Sequence, residues 1–326
     1  MQPGPEANVW KEVDVKIAVV GVGAMGSVYA GLLASAGNEV WAIDQWREHI
    51  DAIASEGLRV EGASGDLTVA VSATTDAADA GTCELVIIAT KAMDVEQAAS
   101  AARPLVGEDT VVLSIQNGLG GPDAAASVLG DDVVTVGVVG GFGASIVAPG
   151  HARHEGWELV RLGERSGPVT PRVDRVAEIW REAGFRVETY DDVGRLVWEK
   201  LVCNVAFSGP CTILERRIGE VLSSESGREL STSCAAEAYE IGCANGISFT
   251  FDDPERYVLE FGGKIPDARP SMLLDYLASR RGEIDVINGA IPRVADSLGR
   301  EAPVNATVSA LVRTKEHQML VASAGS

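Results

Sequence analysis

Val15–Gly26 reads VKIAVVGVGAMG, a β-branched apolar run that meets a glycine turn and then an Ala-rich segment. The run predicts a buried strand, and Ala24–Ala36 predicts a helix. Gly21, Gly23 and Gly26 fit G-x-G-x-x-G, the dinucleotide-binding fingerprint, here in its strand–turn–helix context. Gly21 permits the tight turn, Gly23 lets backbone approach a pyrophosphate, and Gly26 lets the helix pack on the strand. Gly21, Gly23, Ala24, Met25 and Gly26 are therefore expected to hold a dinucleotide, with the free N–H groups of the helix aimed at its phosphates. A second strand, Glu39–Ile43, ends in Asp44, near the spacing of an acid that binds the adenosine ribose.

Outward from this turn, strand and helix patterns alternate. Trp46–Ser55 reads as a helix, and Leu58–Glu61 with Leu67–Val71 as a hairpin. Leu85–Ala89, Thr110–Ile115 and Val133–Val139 are short apolar runs of the kind found in a parallel-sheet core. Val95–Ala102 and Pro171–Ala183 read as helices, and Gly140–Glu164 as a small antiparallel meander. From about Asp191 the pattern is helical, as in Leu196, Leu201 and Val205. The expected architecture is α/β: a doubly wound, Rossmann-type parallel sheet over residues 15–190, then an all-helical unit over residues 191–326. Residues 1–14 read as a flexible lead-in. A site is expected between the two units, at the carboxyl ends of the strands.

Composition narrows the function. The chain has 326 residues, 46% of them apolar, and a formal net charge of −20. That charge argues against nucleic acid or an anionic membrane as partner, since both demand clustered positive charge. No apolar run reaches the length of a membrane span. Cys83, Cys203, Cys211, Cys234 and Cys243 are scattered and never form C-x-x-C, which fits reduced thiols in the cytoplasm. His151 and His154 form H-x-x-H, but no nearby Cys or third His completes a metal set.

Four further places stand out once a nicotinamide is assumed. Asn117 sits at the end of a strand, Lys200 and Asn204 share a helix face, Glu283 lies in GEIDVING, and Ser271 opens SMLLD. Taken singly, these positions also read as a turn residue, an amphipathic surface lysine and helix caps.

Six segments in order resemble the ketopantoate reductase (2-dehydropantoate 2-reductase) family. They are GVGAMGS at the turn, ATKA at Ala89–Ala92, QNGLG at Gln116–Gly120, EKLVCN at Glu199–Asn204, SMLLD at Ser271–Asp275 and GEIDVING at Gly282–Gly289. The resemblance implies NAD(P)H-dependent reduction of a 2-oxo acid to a 2-hydroxy acid, with ketopantoate to pantoate as the first candidate. It implies that Lys200 polarises the keto oxygen and donates the proton, and that Glu283 orients Lys200. Asn117 would serve both chemistry and cofactor, as would Glu283. Asn204, Ser208 and Ser271 would bind substrate, and a homodimer would form through the helical unit. Two positions depart from the family. Asp44 stands where a basic residue commonly grips the 2′-phosphate of NADPH, so it favours NADH, whereas Lys91 matches a family lysine that contacts that phosphate and favours NADPH. Ser208 stands where the family often has an asparagine, which opens the reading of a same-fold reductase for a different keto or imino acid. A non-catalytic NAD(P) sensor is the remaining alternative, and the pairing of Lys200 with Glu283 counts against it.

Overall fold

The computed structural model describes residues 15–141, 143–156 and 159–324; the lead-in reading falls outside them. The strands are, in chain order, β1 (Lys16–Val20), β2 (Glu39–Ile43), β3 (Leu58–Gly62), β4 (Leu67–Val69), β5 (Ser72–Thr74) and β6 (Leu85–Ile88). They continue with β7 (Val111–Ser114), β8 (Val134–Val139), β9 (Gly143–Ala148), β10 (His151–Gly156), β11 (Leu159–Glu164) and β12 (Arg186–Thr189). Eight form one sheet in the order β12-β11-β8-β7-β6-β1-β2-β5. β6, β7 and β8 are buried along their whole length. Their uninterrupted Val/Ile/Leu runs suit central strands covered on both faces. The chain starts at β1, adds β2 on one side, and later places β6 on the other. That reversal makes the carboxyl end of β1 a topological switch point, where an α/β sheet opens a crevice for ligand.

The doubly wound sheet is as expected, with a mixed edge: β11 runs antiparallel to β8, and β12 runs parallel to β11. One expectation needs correction: the meander over Gly140–Glu164 does not hold together. β9 and β10 form a hairpin, but β10 pairs in parallel with β3, giving a second sheet in the order β4-β3-β10-β9. β11 leaves for the large sheet because its alternating Val160 and Leu162 are buried in the main core with Ile17, Leu33 and Trp180. A local alternation cannot say which sheet a strand will join.

The helices follow as α1 (Ala24–Ser35), α2 (Arg47–Glu56), α3 (Val95–Ala101), α4 (Gly121–Leu129) and α5 (Pro171–Glu182) around the sheets. After β12 come α6 (Val193–Leu214), α7 (Ile218–Ser223), α8 (Glu225–Ala244), α9 (Pro254–Lys264), α10 (Ser271–Leu277), α11 (Ala290–Ser297) and α12 (Pro303–Ala324). α1 packs between the two sheets, touching β1 and β2 on one side and β3, β9 and β10 on the other. The helical half has its own core around Val202, Phe207, Ala235, Leu273 and Ile287. α6 joins the halves: Leu196 and Val197 near its start pack on Val136 and Val138 of β8. This contact brings the next turn of α6, with Lys200, to the carboxyl end of β8.

Candidate functional site

The glycine turn leaves β1 as the motif requires. Gly21 has φ +93°, and a Cβ there would lie 2.6 Å from the Thr90 nitrogen. A Cβ on Gly26 would lie 2.0 Å from the Gly21 carbonyl oxygen. Gly23 differs: it is exposed, and a Cβ on it would meet nothing within 4 Å. Its missing side chain therefore leaves open space beside the backbone, where a pyrophosphate needs room. No side chain caps α1, so no side-chain acceptor occupies its first-turn N–H groups, beside half-buried Ala24 and Met25. Unpaired donors at a helix N-terminus bind anions. Asp44 follows β2 at the neighbouring strand end, and its Oδ1 accepts a hydrogen bond from the Trp46 N–H (2.9 Å). These residues fit a dinucleotide.

The second cluster lies where strand ends meet the helical half. The Lys200 ammonium donates to Asn117 Oδ1 (2.6 Å) and to the Val139 carbonyl at the end of β8. Asn117 is half-buried in the turn after β7. The next residue, Gly118, has φ +79°, and a Cβ there would lie 2.2 Å from the Val286 carbonyl oxygen. The Leu119 N–H donates to that same oxygen (2.9 Å). QNGLG thus docks directly on GEIDVING. Gln116 ties its own turn to the sheet, donating from Nε2 to the Ile88 carbonyl at 2.5 Å.

Glu283 is buried, and its Oε1 accepts from the Ala92 N–H (3.0 Å). Lys91, one residue earlier, pairs with Asp275 of α10 and donates to the Arg281 carbonyl (3.2 Å). ATKA is thereby fastened to SMLLD and GEIDVING. Asp285 of GEIDVING is itself braced. Burial alone would raise its carboxyl, but hydrogen bonds and charge from Arg313 and Arg281 outweigh burial and hold it below the usual carboxylate range.

Asn204 and Ser208 follow Lys200 at successive four-residue steps on α6, Asn204 half-buried and Ser208 buried. Ser271 begins α10 and is exposed, with Pro270 at the N-cap and no side-chain cap bond. A capping role therefore does not explain it. Of the histidines, His151 Nε2 lies 3.1 Å from Glu61 Oε2, and His154 Nε2 lies 2.8 Å from the Gly156 carbonyl. Among the described residues, no group of three His, Cys, Asp or Glu is placed to hold a metal.

Three participants were not given roles by sequence reasoning. Val139 acts through its carbonyl, which no side-chain pattern marks. Asp275 lay inside a quoted motif without a partner. Asn288 is fully buried and donates to the Val205 carbonyl of α6 and to Asn305 Oδ1, both at 2.9 Å. It locks GEIDVING to α6 between Asn204 and Ser208.

The profile described as "Ketopantoate reductase PanE/ApbA" matches residues 17–167, and its C-terminal counterpart matches residues 192–316. The chain is similar to the 2-dehydropantoate 2-reductase of Pyrococcus horikoshii, 32% identical over 305 residues, covering 93% of this chain and 98% of that protein. Among solved structures it is similar to a PanE/ApbA family ketopantoate reductase from Ralstonia eutropha. That pair has a TM-score of 0.85 at 32% identity, covering 93% of this chain and 99% of the other. It is also similar to D-mandelate dehydrogenase solved with NADH and anilino(oxo)acetate, with a TM-score of 0.86 at 26% identity, covering 93% and 99%.

Proposed function

The chain belongs to the ketopantoate reductase PanE/ApbA family, and from that premise we propose that it reduces ketopantoate to pantoate, with Lys200 as the proton donor. As a family member it is a nicotinamide-dependent oxidoreductase acting on a CH–OH group. The observation that carries the reading is the Lys200–Asn117 contact of 2.6 Å, which joins the helical half to a strand end of the sheet that carries the dinucleotide turn. We assign residues 15–190 to nucleotide binding and residues 191–326 to substrate and assembly.

A nicotinamide held by the glycine turn and Asp44 would supply the hydride. Lys200 stabilises the negative charge that develops on the keto oxygen and transfers its proton there, then regains one from solvent. A positioned cation acts more strongly on that transition state than on the neutral ketone. Asn117 orients the ammonium. Glu283, which the resemblance assigns to orienting Lys200, holds the ATKA turn through the Ala92 N–H, and we assign it as a partner for a substrate hydroxyl. Asn204, Ser208 and Ser271 are the proposed substrate contacts.

For the cofactor we favour NADH. The Asp44 carboxylate suits a free ribose 2′-OH and repels a 2′-phosphate. Lys91, the residue that would favour NADPH, already has Asp275 as its counter-ion. D-mandelate dehydrogenase, the relative solved with NADH, shows the same fold carrying that cofactor. It also motivates a second reading, a different 2-oxo acid, because Ser208 is shorter than an asparagine and leaves room for another acyl group.

We also place the protein in the cytoplasm, as a homodimer formed through α10 and α12. These helices meet where Lys315 lies over the Tyr276 ring, and Leu274, Leu277, Leu311, Leu320 and Val321 are exposed on them. No described helix is long and apolar enough to cross a membrane.

The test is loss of reduced-nicotinamide absorbance with ketopantoate, phenylglyoxylate and other 2-oxo acids, NADH and NADPH side by side. Fastest turnover of ketopantoate with NADH supports both assignments. Preference for another acid moves the substrate to the second reading, and preference for NADPH overturns the role of Asp44.

A further inference from the structure

We propose that His49 is a positioning residue for the dinucleotide turn, aiming the Gly23 N–H through Ser27 and the Val22 carbonyl. His49 is fully buried on α2, and both ring nitrogens are used. Nδ1 accepts from the Gly150 N–H (3.0 Å), and Nε2 lies 3.1 Å from Ser27 Oγ. A backbone N–H can only donate, so Nδ1 carries the lone pair and Nε2 the hydrogen. Nε2–H therefore donates to Ser27 Oγ, and Ser27 Oγ–H donates to the Val22 carbonyl (2.9 Å). The chain of donors runs one way, from the Gly150 turn of the small sheet to the middle of the glycine motif.

The consequence follows from peptide planarity. The Val22 carbonyl and the Gly23 N–H belong to one trans peptide plane and point to opposite sides of it. Holding the carbonyl inward on Ser27 turns the Gly23 N–H outward, toward the open space beside Gly23. A donor fixed there in advance costs less to order when a phosphate arrives. The same imidazole supports the ribose side. The Trp46 indole stacks on it, with centroids 4.7 Å apart and planes 11° apart. The Trp46 N–H is the group that holds the Asp44 carboxylate. Burial lowers the His49 pKa, against the charge of Asp44 and the Val22 carbonyl, which keeps the ring in the neutral form that can accept from Gly150.

This proposal rests on the nucleotide reading above, and its test separates the two. Full-length wild type, Ser27→Ala, His49→Asn and His49→Gln are titrated with NADH and NADPH by protein fluorescence. Melting temperatures without nucleotide and steady-state constants are recorded alongside. Ser27→Ala removes one oxygen with little change of shape, so it reports even if His49 variants fold poorly. His49→Asn keeps an acceptor for Gly150 but cannot reach Ser27, whereas His49→Gln places an amide N–H near the Nε2 position. Ser27→Ala and His49→Asn should weaken nucleotide binding about three- to tenfold, the worth of one hydrogen bond. The nucleotide KM should rise while kcat and the 2-oxo-acid KM stay near wild type, and His49→Gln should recover most of the affinity. Wild-type affinity in Ser27→Ala and His49→Asn, or a fall in melting temperature with both KM values drifting together, overturns the positioning role. A wild-type protein that binds neither nucleotide overturns the nucleotide reading and the proposal with it.

Discussion

The dinucleotide turn and the Lys200 cluster sit at strand ends of one sheet, with β6 between them, yet they are built from opposite materials. The turn presents backbone to its ligand: Gly21, Gly23, Gly26 and the uncapped start of α1, contiguous in sequence and braced from behind by Ser27 and His49. The Lys200 cluster is side chains and loops drawn from distant parts of the chain. Lys200 meets Asn117 across 83 positions, and Ala92 meets Glu283 across 191. The first is local geometry that a nucleotide can use as it stands. The second exists only while the two halves are docked, because Lys200, Glu283 and Lys91 each take a partner from the other half. Nucleotide affinity should therefore survive damage to the seam, and turnover should not.

The strongest attempt to break that division is Lys200→Ala. Removing one electrostatic donor from a hydride-transfer site should lower kcat by about 10²–10³-fold. Nucleotide binding should change little, since the turn makes no use of Lys200. Steady-state rates with a parallel nucleotide titration check both halves of the statement, and near-normal turnover would remove Lys200 from the chemistry. Gly118→Ala comes next. Its Cβ would collide with the Val286 carbonyl oxygen at 2.2 Å, in a backbone conformation that alanine dislikes. The QNGLG turn should lift off GEIDVING, cutting kcat by about tenfold or more while nucleotide affinity again holds, because a small misplacement of positioned groups is costly. Equal loss of both would mean that the seam also shapes the turn.

The two regions also differ in how far they could be read from residues alone. The turn was legible because its evidence is consecutive: an apolar run, three glycines at fixed spacing and a helix-forming segment. The Lys200 cluster was legible only as a set of motifs resembling a known family. Periodicity put Lys200 and Asn204 on one face, but nothing in EKLVCN says that the face meets Asn117. The join between QNGLG and GEIDVING is a backbone bond to Val286, which leaves no side-chain signature. The same cause explains the sheet. β9, β10 and β11 were each visible as strands, but their partners depend on long-range packing, so the expected meander split between two sheets.

A contrast inside the turn sharpens the comparison further. Gly23→Ala places its Cβ in open space, so the nucleotide-free protein should melt at the wild-type temperature. Nucleotide affinity should nevertheless fall about tenfold, because the added carbon occupies the approach path of the phosphates. Gly26→Ala, whose Cβ meets the Gly21 oxygen at 2.0 Å, should instead lose stability before any ligand is added. Calorimetry on both variants separates the ligand's requirement from the fold's. If Gly23→Ala binds as wild type does, the open space beside it is not where the nucleotide lies.

The smallest effect expected lies remote from both regions and tests whether pH acts on the fold rather than the site. Glu164, at the end of β11, is buried and accepts hydrogen bonds from Arg172 Nε (2.8 Å) and from Thr170 at the start of α5. Burial alone would raise its pKa, but Arg172 and Thr170 together outweigh burial and lower it from 4.5. A carboxyl held lower in the folded state than in the unfolded chain stabilises the fold above the unfolded value. That contribution disappears as pH falls through the folded value. Glu164→Gln should therefore cost about 1 kcal/mol at neutral pH. Its unfolding free energy should fall less steeply than that of the wild type as the solution is acidified below 4.5. Denaturant titrations at stepped pH read the two slopes directly. Parallel slopes would mean that Glu164 titrates alike in the folded and unfolded chain, and that the Arg172 pair orders the start of α5 without contributing to acid stability.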